Sequence, residues 1–176
     1  VEELHRLVGR PIGINLEPVD SQAQMAGERL IIDEGRQASL ATIQRAEELG
    51  VDFICLTGNP GTGVTNQAII DTIRVVKENF SGLLIAGKMH ASGVDEPVAD
   101  LEAIAQFIEA GVDIVLAPAV GSVPGFDEQD LKQIVRLAHQ KGALVMSAIG
   151  TSQESADEDI VKQMAIRNKI CGVDIQ

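Results

Sequence analysis

The sequence contains no Trp and no Tyr, and four Phe leave the aromatic content at 2%. A core must then be built from Ile, Leu, Val, Ala and Met, which suits the strands and helices of α/β proteins. Cysteine is nearly as scarce. Cys55 and Cys171 have no Cys-x-x-Cys partner, so both read as reduced thiols, Cys55 packing as a small hydrophobe inside an apolar run. Basic residues are outnumbered, 14 Lys and Arg against 26 Asp and Glu, for a net charge of −12. The missing basic stripe argues against nucleic acid as a partner, and the acidic surface fits solubility in the cytoplasm. No apolar run approaches the roughly 18 residues needed to cross a membrane. No signal peptide is visible, and the opening at Val1 rather than Met reads as a fragment or a processed chain. Several catalytic signatures are absent too: the Gly-x-Ser-x-Gly elbow, the His-Glu-x-x-His helix and the Asp-x-Asp-x-Thr phosphatase strand.

What the chain does have is a repeat. Gly-Val-Asp occurs at 50–52, 111–113 and 172–174, at intervals of 61 residues, each time before an apolar stretch. Gly82 and Gly142 fall halfway between the copies. Units of roughly 30 residues, each a helix, a glycine stop and a short strand, have the length of a βα unit.

The expected elements follow. A helix tail at 2–8 is stopped by Gly9, and a first strand covers 12–16. An irregular stretch over 19–35 is expected as a mobile loop above one barrel mouth. Helices are expected from about Gln37 to Leu49, from Thr65 or Asn66 to Asn79, from near Glu96-Pro97, from Asp127, and from a capping box at Ser155–Glu158. Strands are expected at 53–56, 83–86, 114–117 and 144–147, with a sixth from Gly172. Strands joined by helical crossovers run parallel, and the crossovers are right-handed. The alternate-strand period, the uniform apolar runs and the absence of a dinucleotide fingerprint favour a (β/α)₈ TIM barrel over an open doubly wound sheet. A whole barrel needs about 250 residues, so residues 1–176 read as a single partial barrel domain.

Barrel enzymes carry their sites at the C-terminal ends of the strands. Alternation predicts Gly13, Asn15 and Glu17 facing the axis, with Cys55 and Thr57 in the second strand. It likewise points Leu84, Ala86 and Lys88 inward with His90 beyond, and Val145 with Ser147 in the fifth. Lys88 can serve as base, Schiff-base nucleophile or anion clamp, and His90 as proton carrier; the alternative is an exposed loop pair. Glu17 can act as base or magnesium ligand, with Asn15 orienting substrate, although no other ligands accompany it at metal-binding spacing. The loop from Thr57 to Val64, including Gly58, Asn59, Gly61, Thr62 and Gly63, either brings amides to an anion or is a tight turn with a Thr cap. It lacks the Gly-Lys-Ser/Thr of an ATP loop. Ser147 and Thr151 add hydroxyls to the same mouth. Asp52, Asp113 and Asp174 sit at strand beginnings, where capping or surface hydrogen bonding is expected of them. A small phosphorylated or carboxylated metabolite is the expected ligand, with a lyase or isomerase step beside a carbonyl. A metal-assisted hydrolase centred on Glu17 and His90 and a non-catalytic sensor or assembly protein are the alternatives, and a homo-oligomer stays open.

The segments Leu56–Val64, Ala86–His90 and Ser147–Glu154 resemble those of a bacterial family of barrel proteins of unknown function. The resemblance covers the whole chain and implies kinship with phosphate-binding (β/α)₈ proteins. Labels such as phosphonomutase-like or haloacid-dehalogenase-like hydrolase attach to its members. It implies that the chain holds strands three to eight, and that the last strand would run on into a glycine-containing phosphate loop beyond Gln176.

Overall fold

Each strand pairs with its successor in the chain, all in parallel, in the order β1 (Gly13–Leu16), β2 (Phe53–Leu56), β3 (Leu83–Gly87), β4 (Ile114–Pro118), β5 (Leu144–Ala148). The computed structural model describes residues 1–149 and 156–176. Helix α1 (Glu2–Val8) precedes the sheet, and α2 (Leu40–Leu49), α3 (Asn66–Asn79), α4 (Leu101–Ala110) and α5 (Glu128–Lys141) form the crossovers. Helix α6 (Glu158–Ile170) leads to the expected sixth strand, which appears as one bridge between Met146 and Ile175. This serial parallel order is the (β/α)₈ barrel pattern, seen here as an incomplete arc.

The Gly-Val-Asp repeat is a structural clamp. Its glycine turns the chain out of the preceding helix in the left-handed region (φ 65°, 112° and 98°), which a side chain would disfavour. Its valine is buried in all three copies. Its aspartate grips the preceding strand at both ends of one residue. Asp52 donates its amide to Ile12 O (2.7 Å) while its Oδ2 accepts from Ile12 N (2.6 Å). Asp113 does the same with Leu84, and Asp174 with Val145, in each case at 3.0 Å and 2.8 Å. A cationic or titratable side chain completes each clamp: His5 from α1, Lys77 from α3, His139 from α5. The 61-residue interval is thus the spacing of alternate strand starts, and the expected bottom-face role of these aspartates is what the bonds show.

The two faces of the sheet bury different sets. On the outer face, Ile54, Leu56, Leu84, Ala86, Val115 and Val145 pack against the helices in the main core. On the inner face, Cys55, Ile85, Ile114 and Leu116 pack with Phe53, Met89, Met146 and Ala148. The ladder register makes one row of Asn15, Cys55, Ile85, Ile114 and Leu144. The expected parity therefore holds for β1 and β2 and is reversed for β3 and β5. Leu84, Ala86, Lys88, Val145 and Ser147 lie on the helix side.

Two boundaries also move. Helix α2 starts at Leu40, because Ser39 forms a capping box with Thr42. Helix α4 starts at Leu101, where Asp100 accepts from Glu102 N and Ala103 N. Asp157 caps α6, and Ser155 of the expected capping box lies outside the described residues. The 19–35 stretch is tied across the C-terminal loops: Asp20 N bonds Gly63 O, Ala26 N bonds Gly93 O and Leu30 N bonds Gly61 O, at 2.8–3.0 Å. It is a strap held by backbone hydrogen bonds.

Candidate active site

A cleft of about 380 Å³ opens at the C-terminal end of the inner face. Its walls are mainly apolar, from Phe53, Ile85, Met89 and Leu116, and its polar groups come from Asn15, Thr57, Asn59 and His90. Thr57 follows Cys55 on the inward parity of β2. Its Oγ1 is buried and has no hydrogen-bond partner, so the residue meets the cleft with its other atoms while the hydroxyl is held behind the wall. Cys55 shares that wall, and burial pushes its thiol up to about 12, which keeps it neutral and unreactive at ordinary pH.

His90 is half-buried. Its Nδ1 accepts the amide of Ser92 at 3.1 Å, so the neutral ring carries its proton on Nε2 and offers a donor. Burial lowers its pKa; Glu17 acts to raise it and Lys88 to lower it further. The ring is a neutral hydrogen-bond donor at ordinary pH.

Glu17 stands behind the cavity. Its side chain is 3% exposed and all its visible bonds are internal. Oε1 accepts from Asn59 Nδ2 and Arg36 Nη2, both at 2.7 Å, and Oε2 accepts from Asn59 N at 2.9 Å. The carboxylate fixes Asn59 at the rim, and the Arg36 guanidinium balances its charge. Among the described residues no group of three or more His, Cys, Asp or Glu comes together at metal-binding distance. With both Glu17 oxygens already engaged, these residues do not fit the expected magnesium site.

Lys88 does not reach the cleft. Its side chain is 1% exposed on the helix side of the sheet, ion-paired with Glu96. The same Glu96 oxygen accepts Asn66 N, at the start of α3, at 2.8 Å. Glu96 thus joins a buried cation to a helix N-terminus, instead of opening α4 as its neighbouring proline suggested.

The glycine loop is likewise committed to the protein. Asn59 N is bound to Glu17, Thr62 N to Asn59 O, and Gly63 N to Ser92 O. Thr62 is fully buried with its hydroxyl on Asn59 O. A Cβ on Gly58 would lie 2.5 Å from Ser92 Oγ, and one on Gly63 would lie 2.1 Å from Arg29 Nη1. The glycines are there for close packing beneath the strap, and the amides of 59, 62 and 63 are spent.

Of the expected site residues, Asn15, Thr57, Gly58, Asn59 and His90 meet at the cleft. Glu17 supports it from behind; Lys88, Gly61, Thr62 and Gly63 do not line it. Ser147 lines a separate apolar cavity of about 370 Å³ beside α6, and Thr151 lies outside the described residues. Sequence reasoning missed Arg36, Ser92 and Glu96, which lie in irregular segments with no periodicity to place them.

A family described as a domain of unknown function (DUF7916) matches residues 1–176. The chain belongs to that family. No curated protein matches it in sequence. Among solved structures, the DUF7916 chain is similar to a candidate lyase/mutase from Burkholderia cenocepacia J2315, with a TM-score of 0.62 and 17% identity over 98% of this chain and 56% of that one. A candidate phosphonomutase from the same organism gives 0.59 and 12%, over 95% and 68%. A 2,3-dimethylmalate lyase of the PEP mutase/isocitrate lyase superfamily gives 0.56 and 15%, over 98% and 61%. The chain therefore spans little more than half of the first of these proteins. At these identities the likeness shows the fold, an α/β barrel. These neighbours include a phosphonomutase-type protein, whereas the haloacid-dehalogenase-like label finds no support in them. No helix among the described residues is long and apolar enough to cross a membrane.

Proposed function

We propose that this DUF7916 chain carries the catalytic mouth of a lyase-type barrel enzyme acting on a small carboxylated metabolite, beside a carbonyl. The observation that carries the reading is His90: a neutral ring, its Nδ1 tied to Ser92 N, lining the same cleft as Asn15. Two neutral donors, on His90 and Asn15, in an apolar-walled cleft suit an oxygen that gains negative charge as a neighbouring bond breaks. His90 Nε2–H would hold that oxygen, and the Asn15 amide would orient the substrate. Asn59, fixed by Glu17, would shape the rim. Similarity in fold to a lyase/mutase-type protein and to 2,3-dimethylmalate lyase supports the same reaction class. A phosphorylated substrate is less favoured, because the amides of Asn59, Thr62 and Gly63 are engaged and Lys88 lies on the other face. The metal-assisted hydrolase alternative draws no support from the engaged Glu17 carboxylate.

The test is turnover of the intact protein on a panel of small 2-oxo and 2-hydroxy carboxylates with their phosphorylated counterparts, read by release of carbonyl product. His90→Asn should lower kcat/KM by about 10²–10⁴-fold, and Asn15→Ala by about tenfold, the worth of one neutral hydrogen bond. Activity should persist above the pKa of His90, which lies below the ordinary value of about 6.5, and fall as pH drops through it. Wild-type turnover in both variants would refute the reading. Tight binding without turnover would make the protein a sensor.

A further inference from the structure

Ser92 is the one non-glycine residue with positive φ among the described residues, at 56°. That region puts Cβ against the backbone, and glycine normally supplies it. Ser92 is 2% exposed, and its hydroxyl, the usual reason to keep a serine, is buried with no partner. Its backbone, in contrast, is fully used. The carbonyl accepts Gly63 N at 2.9 Å, and the amide reaches back two residues to His90 Nδ1 at 3.1 Å. Backbone held in a sparsely populated conformation beside a cavity is a pointer to a positioning role.

We infer that Ser92 is a positioning residue whose left-handed backbone holds the His90 ring as a neutral Nε2–H donor facing the cleft. The inference rests on the proposed role of His90 and adds the device that fixes which ring nitrogen carries the proton. An amide pointing at Nδ1 has nothing to donate to once that nitrogen is protonated, so the contact opposes the charged ring. The other charges acting on the ring are Glu17, from the end of β1, and Lys88, from the end of β3. Each has its own partners and does not depend on Ser92. A Cβ on Gly58 would collide with the Ser92 hydroxyl, so the glycine leaves room for it.

The experiment is an NMR titration of the intact protein with ¹⁵N-labelled imidazoles, following His90 Nδ1 and Nε2, with His5 and His139 as internal references. Ser92→Gly deletes the hydroxyl and keeps the conformation. Its His90 nitrogen shifts and titration midpoint should match the wild type. Ser92→Val, whose branched side chain disfavours positive φ, should release Nδ1 and raise the midpoint by about one pH unit, a tenfold change in proton affinity. Ser92→Ala should fall between them, and carries the comparison with Gly if the Val variant does not fold. Unchanged His90 nitrogens in folded Val or Ala variants would overturn the inference. So would a Gly variant as perturbed as Ala, since that would make the hydroxyl the active feature. A released ring with unchanged kcat would leave the positioning intact and count against the proposed role of His90 in turnover.

Discussion

Replacing Lys88 by Met separates a catalytic lysine from a structural one. The ammonium is 1% exposed and pairs with a Glu96 carboxylate that is 28% exposed. Removing one partner of a buried pair costs about 3–5 kcal/mol when the other charge is stranded. Here the stranding is incomplete, because Glu96 keeps the Asn66 amide and some contact with water. Met also fills the lysine stem's volume without an ammonium to desolvate. The expected loss therefore falls at or just below the bottom of that range, about 2–3 kcal/mol. For a protein of this size that lowers Tm by about 4–12 °C. In the double variant Lys88→Met with Glu96→Gln, the amide oxygen still accepts from Asn66 and no charge is left unpaired, so most of the loss should be recovered. Thermal unfolding and urea titration of the four proteins of the cycle give the coupling, and turnover per folded molecule should change by less than about threefold, since Lys88 touches no part of the cleft. A Met variant as stable as the wild type but inactive would refute this account and return Lys88 to the catalytic centre.

Further outcomes follow from the clamps and the buried thiol. Asp113→Ala strands the buried Leu84 amide and should cost about 1–3 kcal/mol in urea unfolding, whereas Lys77→Met, which removes a half-exposed ion pair, should cost no more than about 1 kcal/mol. Asp52 is held below the ordinary carboxylate range by the Ile12 amide first and His5 second. At Asp174, burial acts upward but is outweighed by His139 and the Val145 amide, so it too titrates low. Depressed carboxyl groups stabilise the fold fully above their unfolded pKa of about 3.9, and that contribution is lost as pH falls through the folded value. The urea midpoint should therefore drop below about pH 4, less steeply in Asp174→Asn; an equal slope in both proteins would count against the clamp. Cys55, with its thiol near 12, should resist alkylation in native protein at neutral pH and react once urea unfolds the chain; prompt native labelling would contradict its burial.

The sequence by itself determined the scaffold. A 61-residue recurrence of Gly-Val-Asp can be read without coordinates because each copy does one local job: the glycine ends a helix, the valine enters the core, and the aspartate starts a strand. The same holds for β2, whose boundaries match the expectation, and for the inward-facing Asn15, Cys55 and Thr57. Tertiary structure alone decided which way β3 and β5 face. Leu84, Ile85 and Ala86 are all apolar and buried, as expected of a parallel strand covered on both sides, so alternation leaves no polar mark to distinguish the faces. Lys88 followed the wrong parity for that reason. Tertiary structure also settled the glycine loop: Glu17 and Asn59 lie 42 residues apart, and only folding shows the carboxylate taking the backbone and side-chain amides of Asn59. Local chemistry repeats along a chain and can be counted; the partner of a buried charge is set by packing across it.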